Sequence, residues 1–348
     1  MKLLARIPPG ILLLNQQIFN SRYGTVDQQD GDEALHPHRF IVCRPRGPIR
    51  AIFVLLHGGG GNVFQYLATL GILTGFPVTP SVIRWPLLES LGCAVIAVQA
   101  MAPMGVNPLW GAGNNPWNPR DVDTRSDPTD PDDPGVPLWA GGPFDSGYDD
   151  PQMCRDMAPY VVDEFGAGKL RILAGHSAGG ILVDRMWCYH QPSAGYTNYC
   201  STSGSTFIDY SAVTPAVPRP RHASFGAQDT NLGIAGGHFA DATYTLLGNV
   251  TRAWSTWPDR PQIIGGLQSM QARVNAYNDD NSLPGETIAE GDGVTTAVAT
   301  GFVKEWSGSG GANILRLYSA ADHSNTVQQR CDGQLQLKRW LLWALANH

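Results

Sequence analysis

Charge is scarce in this chain of 348 residues. Asp, Glu, Lys and Arg together make up 16%, against about a quarter in an average soluble domain. There is no run of Lys or Arg, and the formal net charge is −6. Both facts argue against nucleic acid as a dedicated partner. Long apolar runs are missing too. The longest aliphatic run near the N-terminus is Ile11–Leu14, too short to span a bilayer and short for the core of an export signal. The expectation is a soluble protein without a membrane span, with the cytoplasm favoured over export. Cysteine is sparse, at six residues with no C-x-x-C, which excludes a disulfide scaffold and offers no structural zinc pattern. Cys188 and Cys200 could bridge across one loop or remain thiols. No repeat of 20–50 residues occurs, and the composition leaves the oligomeric state open.

What is present is glycine (40), proline (26) and a hydrophobic fraction of 43%. Loops therefore occupy much of the chain, while the apolar content is enough for a large core and excludes wholesale disorder. AIFVLL at 51–56 and CAVIAVQA at 93–100 read as buried strands, as do shorter runs at 39–43, 170–174, 222–226 and 314–318. Helical spacing of apolar residues predicts helices over 62–73, 150–165, 180–189 and 334–346. Buried strands alternating with helices predict an α/β fold: a mostly parallel sheet with helices on both faces. Residues 1–35 read as an N-terminal arm, and 36–348 as one catalytic domain with two excursions. The first, 104–150, carries eight prolines and many aspartates, so it is neither helix nor central strand. Its aspartates do not match the spacing of a calcium loop, and no metal ligand set is expected. The second, 231–310, reads as a lid-like insertion with a helical piece near 268–277.

Gly175-His176-Ser177-Ala178-Gly179 is the only G-x-S-x-G in the chain. A strand precedes it and a helix follows, which is the setting of a nucleophile elbow. A serine on such a strained turn needs neighbours without bulk, and its Oγ then projects above the sheet. His57-Gly58-Gly59-Gly60-Gly61 directly follows the strand 51–56. A serine that attacks acyl groups needs two amide donors for the oxyanion. One comes from the residue after the nucleophile, here Ala178, and the other from a glycine loop of this kind, here Gly59 or Gly60. No Lys-Ser/Thr follows those glycines, so a phosphate loop does not fit. A serine also needs a base, and the base needs an orienting acid. The order Ser, Asp, His along α/β-hydrolase chains selects Asp229, after the strand at 222–226, and His323, after the strand at 314–318. Asp209 and Asp259 are alternatives for the acid, and His190, His222 and His238 are weaker candidates for the base. His57, His176, Trp117, Trp254 and Trp257 are the candidate substrate contacts.

The chain resembles the poly(3-hydroxybutyrate) depolymerase-like and feruloyl-esterase-like carboxylesterases of the α/β-hydrolase superfamily. The residues that carry the resemblance are LLHGGGGN (55–62), NNPWNP (114–119), YDD (148–150), ILAGHSAGG (172–180), SFGAQD (224–229) and the Asp322-His323 pair before a closing helix. It covers roughly residues 38–230 and 312–346. The resemblance implies an α/β-hydrolase fold and a Ser-His-Asp esterase that works without cofactor or metal. The implied substrates are small or polymeric esters: polyester, hydroxyalkanoate or aromatic feruloyl-type. The same triad could also cleave an amide, a thioester or the C–C bond of a β-diketone, and a catalytically silent hydrolase fold could serve only for binding.

Overall fold

The computed structural model describes residues 17–20, 24–29, 38–59, 61–75, 82–100, 150–189, 195–204, 219–229, 244–246, 250–252, 275, 287–288, 290–324 and 327–348. In chain order the strands are β1 (Gln17–Asn20), β2 (Gly24–Gln29), β3 (Phe40–Pro45), β4 (Ala51–Leu56), β5 (Cys93–Val98), β6 (Leu170–His176) and β7 (Asn198–Thr202). They continue as β8 (Arg221–Gly226), β9 (Tyr244–Leu246), β10 (Val250–Arg252), β11 (Val294–Val298), β12 (Gly301–Gly308) and β13 (Asn313–Tyr318). The α-helices among the described residues are α1 (Val63–Thr69), α2 (Trp85–Leu91), α3 (Asp150–Phe165), α4 (Ala178–Tyr189), α5 (Val327–Asp332) and α6 (Gln336–Ala346).

Eleven strands form one sheet in the order β1-β2-β3-β5-β4-β6-β7-β8-β13-β12-β11. The central six, from β5 to β13, pair in parallel. At one edge β3 runs antiparallel to β5 and is followed by β2 and β1. At the other edge β12 and β11 are antiparallel additions. This is the α/β-hydrolase fold, reached from the residues upward. β4 and β5 carry no polar side chain and are buried along their whole length, as strands covered on both faces must be. Alternate residues divide between two layers. Phe53 and Leu55 pack with Tyr66, Trp85, Trp340 and Leu341 of α1, α2 and α6. Ile52, Val54 and Leu56 pack with Met153, Met157, Leu182 and Met186 of α3 and α4.

The sheet order reverses at β4. From β4 the chain moves outward to β5, then crosses back to β6 on β4's other side. The loops leaving β4 and β6 therefore part company, opening the crevice in which sheets of this kind place their ligands.

Several segments differ from the sequence-based expectation or lie beyond the described residues. Residues 17–20 and 24–29, within the segment expected to be an arm, extend the sheet as β1 and β2. Within 231–310, residues 294–308 supply β11 and β12, while β9 and β10 pair with each other. Trp254, Trp257 and the expected helix at 268–277, apart from Asn275, lie outside the described residues. So does 104–149 with Trp117. β7 and α2 were not expected. Cys200 is a free buried thiol, so it forms no bridge to Cys188. No helix among the described residues is long and apolar enough to cross a membrane.

One buried ion pair joins α4 to β8. Arg221 Nε donates to Asp184 Oδ1 at 2.9 Å, and the guanidinium lies 4.6 Å above the Trp187 ring. Neither side chain reaches solvent. Removing one partner strands the other charge, so Asp184→Ala should cost about 3–5 kcal/mol in urea unfolding. Asp184→Leu combined with Arg221→Met should recover most of that loss. A double variant as unstable as the single one would show that the pair contributes by its charges.

Candidate active site

β6 ends at His176 and α4 begins at Ala178, which leaves Ser177 alone in the turn between them. Its φ is 52°, in the left-handed region that a side chain with a Cβ adopts only under strain. The turn is pressed against the end of β4: a Cβ on Gly179 would collide with the carbonyl oxygens of Leu56 and His57. Ser177 N–H donates to Thr202 O at 2.9 Å, and Ser177 O accepts the first helical bond from Ile181 N–H at 2.9 Å. The Ala178 N–H belongs to the first turn of α4 and has no partner within the helix. Ser177 is partly exposed.

Asp229 and His323 come from loops at the ends of the neighbouring parallel strands β8 and β13, where Gly226 pairs with Tyr318. The two loops are bolted together. Ala227 N–H donates to Tyr318 O and Gln228 N–H to Ala321 O, both at 2.9 Å. The Gln228 side chain adds a bond to Ser319 O at 3.2 Å. Only glycine fits at 226, because a Cβ there would collide with the carbonyls of Ala321 and Asp322. The outcome is a continuous hydrogen-bond chain. His323 Nδ1 lies 2.6 Å from Asp229 Oδ2, and His323 Nε2 lies 2.7 Å from Ser177 Oγ. A carboxylate only accepts, so Nδ1 carries the proton and the bare Nε2 accepts from the serine hydroxyl. The Asp229 side chain is fully buried, while His323 is 20% exposed.

The glycine loop lies against the serine: a Cβ built on Gly58 would stand 3.2 Å from Ser177 Cβ. Gly59 is exposed at its tip; Gly60 lies outside the described residues. Asn62 closes the loop by capping α1, its Oδ1 accepting from Gln65 N–H at 3.0 Å. His57, expected as a substrate contact, is buried with both ring nitrogens engaged by protein. Nδ1 donates to Gly58 O at 2.8 Å, and Nε2 accepts from Ala100 N–H at 3.0 Å. His176 packs its ring 5.2 Å from that of His323, with Nδ1 directed at Thr202 O at 3.2 Å. Among the described residues it is the expected substrate contact that stands beside the His323 ring. His222 is remote, buried with its ring edge-on to Trp343 at 5.5 Å. Asp209, Asp259, His190 and His238 lie outside the described residues.

Two further side chains that were not among the candidate site residues also matter. Asp150, the last residue of the YDD segment, is buried at the start of α3 and bonds His38 Nε2 at 2.6 Å. It ties the segment before β3 to the helix that leads into β6. Gln99, just past β5, contacts His57 Nε2 at 3.1 Å. A polar residue after an apolar strand was the only signal available for it. Among the described residues no group of three or more His, Cys, Asp or Glu could hold a metal ion.

Burial pushes the His57 imidazole down to about 4. It pushes His176 down to about 3, with the neighbouring His323 adding to the effect. His222 is held well below the usual histidine range by burial and by Arg316 and Arg339. All three are neutral in the folded protein near pH 7. The unfolded chain takes up protons near 6.5 that the folded one refuses, so stability is full above that pH and is lost as pH falls toward 4. His57 alone accounts for on the order of 3 kcal/mol over that interval. Thermal melts should therefore be level above pH 7 and fall steeply from pH 6.5 to 4.5, with His222→Leu flattening the slope. A melting temperature that stays constant across that range would contradict the neutral-histidine account.

No family model and no curated protein matches the chain. Solved structures do resemble its layout. Esterase PE8 is 14% identical, with 80% of this chain and 86% of that chain covered, at a TM-score of 0.39. TT1662 from Thermus thermophilus is 16% identical, with coverages of 90% and 98% and a TM-score of 0.43. Acyl-protein thioesterase 2 from Zea mays is 13% identical, with coverages of 88% and 99% and a TM-score of 0.42. These are likenesses of layout at low identity, and the chemistry is read from this chain's own residues.

Proposed function

We propose that the protein is a serine hydrolase that cleaves carboxylic esters through an acyl-enzyme. The observation that carries this reading is the unbroken chain from Asp229 through His323 to Ser177, with the serine on a strained strand–turn–helix. In the proposed cycle His323 Nε2 takes the Ser177 proton as Oγ attacks the ester carbonyl carbon. The carbonyl oxygen becomes an oxyanion, held by the N–H groups of Ala178 and Gly59, with Gly60 as a further candidate donor. His323 then delivers the proton to the leaving oxygen, the alcohol departs, and Ser177 remains acylated. Water completes the cycle: His323 takes its proton, the hydroxide attacks the acyl carbon, and Ser177 leaves with the proton returned. Asp229 keeps the imidazole in the Nδ1–H tautomer and stabilises the imidazolium that forms. The reaction needs no cofactor.

The substrate class follows from the resemblance: polyester, hydroxyalkanoate or aromatic esters. The segments 104–149 and 231–293, the second lying between the acid and the base in the chain, are the proposed walls of the acyl pocket. They bring Trp117, Trp254 and Trp257 with them. On this reading Trp254→Ala or Trp257→Ala should shift preference between short and bulky esters by about 10–200-fold. A flat profile across an ester panel with both tryptophans replaced would end the lid reading.

Labelling with a fluorophosphonate probe, followed by peptide mapping, tests the reaction class directly. The modified residue should be Ser177. Ser177→Ala should abolish labelling and lower kcat on p-nitrophenyl esters about 10⁴–10⁶-fold without changing the melting temperature. Retention of a tenth of the activity would remove Ser177 from its role. A panel of p-nitrophenyl acyl chain lengths, methyl ferulate and a polyester film then separates the substrate classes.

A further inference from the structure

Gln99 is buried just past the end of β5, with 4% of its surface exposed, and its backbone N–H is fixed to Arg39 O at 2.8 Å. Its side chain reaches both ends of the glycine loop. Oε1 accepts from Val63 N–H, the first residue of α1, at 3.1 Å. Nε2 lies 3.1 Å from His57 Nε2 and 3.3 Å from Ala100 O. Chemistry fixes the orientation of the amide. Val63 N–H can only donate, so an oxygen must face it; Ala100 O can only accept, so a nitrogen must face that. The His57 tautomer is fixed in the same way. Gly58 O accepts, so Nδ1 carries the proton; Ala100 N–H donates, so Nε2 is bare, and its one lone pair is shared between that N–H and the Gln99 amide.

The next link is the peptide between Gly58 and Gly59. Gly58 O accepts from His57 Nδ1 at 2.8 Å and from Gly61 N–H at 3.1 Å. In a planar trans peptide the N–H points away from the carbonyl that precedes it. Holding the Gly58 carbonyl down onto His57 therefore turns the Gly59 N–H to the opposite side, in a loop that lies against Ser177.

We infer that Gln99 is a positioning residue that sets the direction of the Gly59 amide donor by clamping the His57 ring and the start of α1 together. Its consequence for turnover rests on the ester-hydrolase reading. A glutamine that merely satisfied buried backbone groups would stabilise the fold without selecting between ground and transition states. A clamp on an oxyanion donor does select.

The test is Gln99→Met, which keeps the length of the side chain and removes its three hydrogen bonds. On p-nitrophenyl butyrate kcat should fall about 10–100-fold while KM changes less than about threefold, since a small misplacement of a catalytic donor has effects of this size. Inhibition by a trifluoromethyl ketone, which forms a tetrahedral adduct, should weaken by the same factor as kcat/KM. In a His57→Leu background the same substitution should lower kcat by a clearly smaller factor than in the wild type, because the His57 arm of the clamp is already gone and only the Val63 arm is left to lose. Hydrogen exchange should accelerate at the amides of 57–63 and leave β4 and β6 unchanged. Wild-type values of kcat and inhibitor affinity in Gln99→Met, or unaltered exchange at 57–63, would overturn the inference. Should Gln99→Met fail to fold, Gln99→Leu replaces it; failure of both would assign Gln99 to stability alone and also overturn it. A wild-type protein that neither turns over the ester nor reacts with a fluorophosphonate would instead sink the hydrolase reading, and the exchange measurement would still decide the clamp.

Discussion

The pairing of β4 with β6 is the constraint on which the site depends. Leu56 stands opposite Gly175 at the top of these strands, and the chain leaves them in opposite directions along the sheet. The glycine loop and the serine turn are therefore brought side by side before any side chain is chosen. The contact is so close that residue 179 has no room for a Cβ. The left-handed φ of Ser177 costs on the order of 1–3 kcal/mol. It is held by the Thr202 carbonyl, by the start of α4 and by apolar layers on both faces of an eleven-stranded sheet.

The interior carries its polarity as directed hydrogen bonds between mostly neutral groups. His57 and His176 are kept uncharged by burial, and each has a ring nitrogen at a backbone carbonyl. Buried charge sits at a few defined places, among them the Asp184–Arg221 pair, Asp150 against His38, the Asp229 carboxylate beside His323, and Lys304 over the Trp306 ring.

Elements whose cause is local were legible beforehand. AIFVLL and CAVIAV can only be strands covered on both faces, and the apolar spacing of 150–165 can only bury one side of a helix. β7 was missed because NYCST looks like a polar loop. It is a central strand because β6 and β8 satisfy its backbone, while Thr202 Oγ1 is bonded by Gln336 of α6. β11 was missed for a related reason: VTTAV at the sheet edge is almost wholly exposed, so no alternation of burial marked it. The ring nitrogens of His57 face inward instead of toward substrate because the Ala100 N–H and the Gly58 carbonyl claim them. That competition is invisible until β5 lies beside β4.

The sequence by itself determined the kinds of element and one local device, the glycine-flanked serine between strand and helix. Both depend on residues close in the chain, through backbone sterics and apolar periodicity. Only the tertiary structure decided which aspartate and which histidine meet that serine. His323 is 94 residues from Asp229 and 146 from Ser177. Their meeting rests on β8 and β13 being neighbours and on a glycine at 226 that lets their loops touch. The role of Gln99 was decided in the same way. Its two distant partners lie 42 and 36 residues away, and a glutamine after a strand says nothing of either until the sheet order sets them at its two ends.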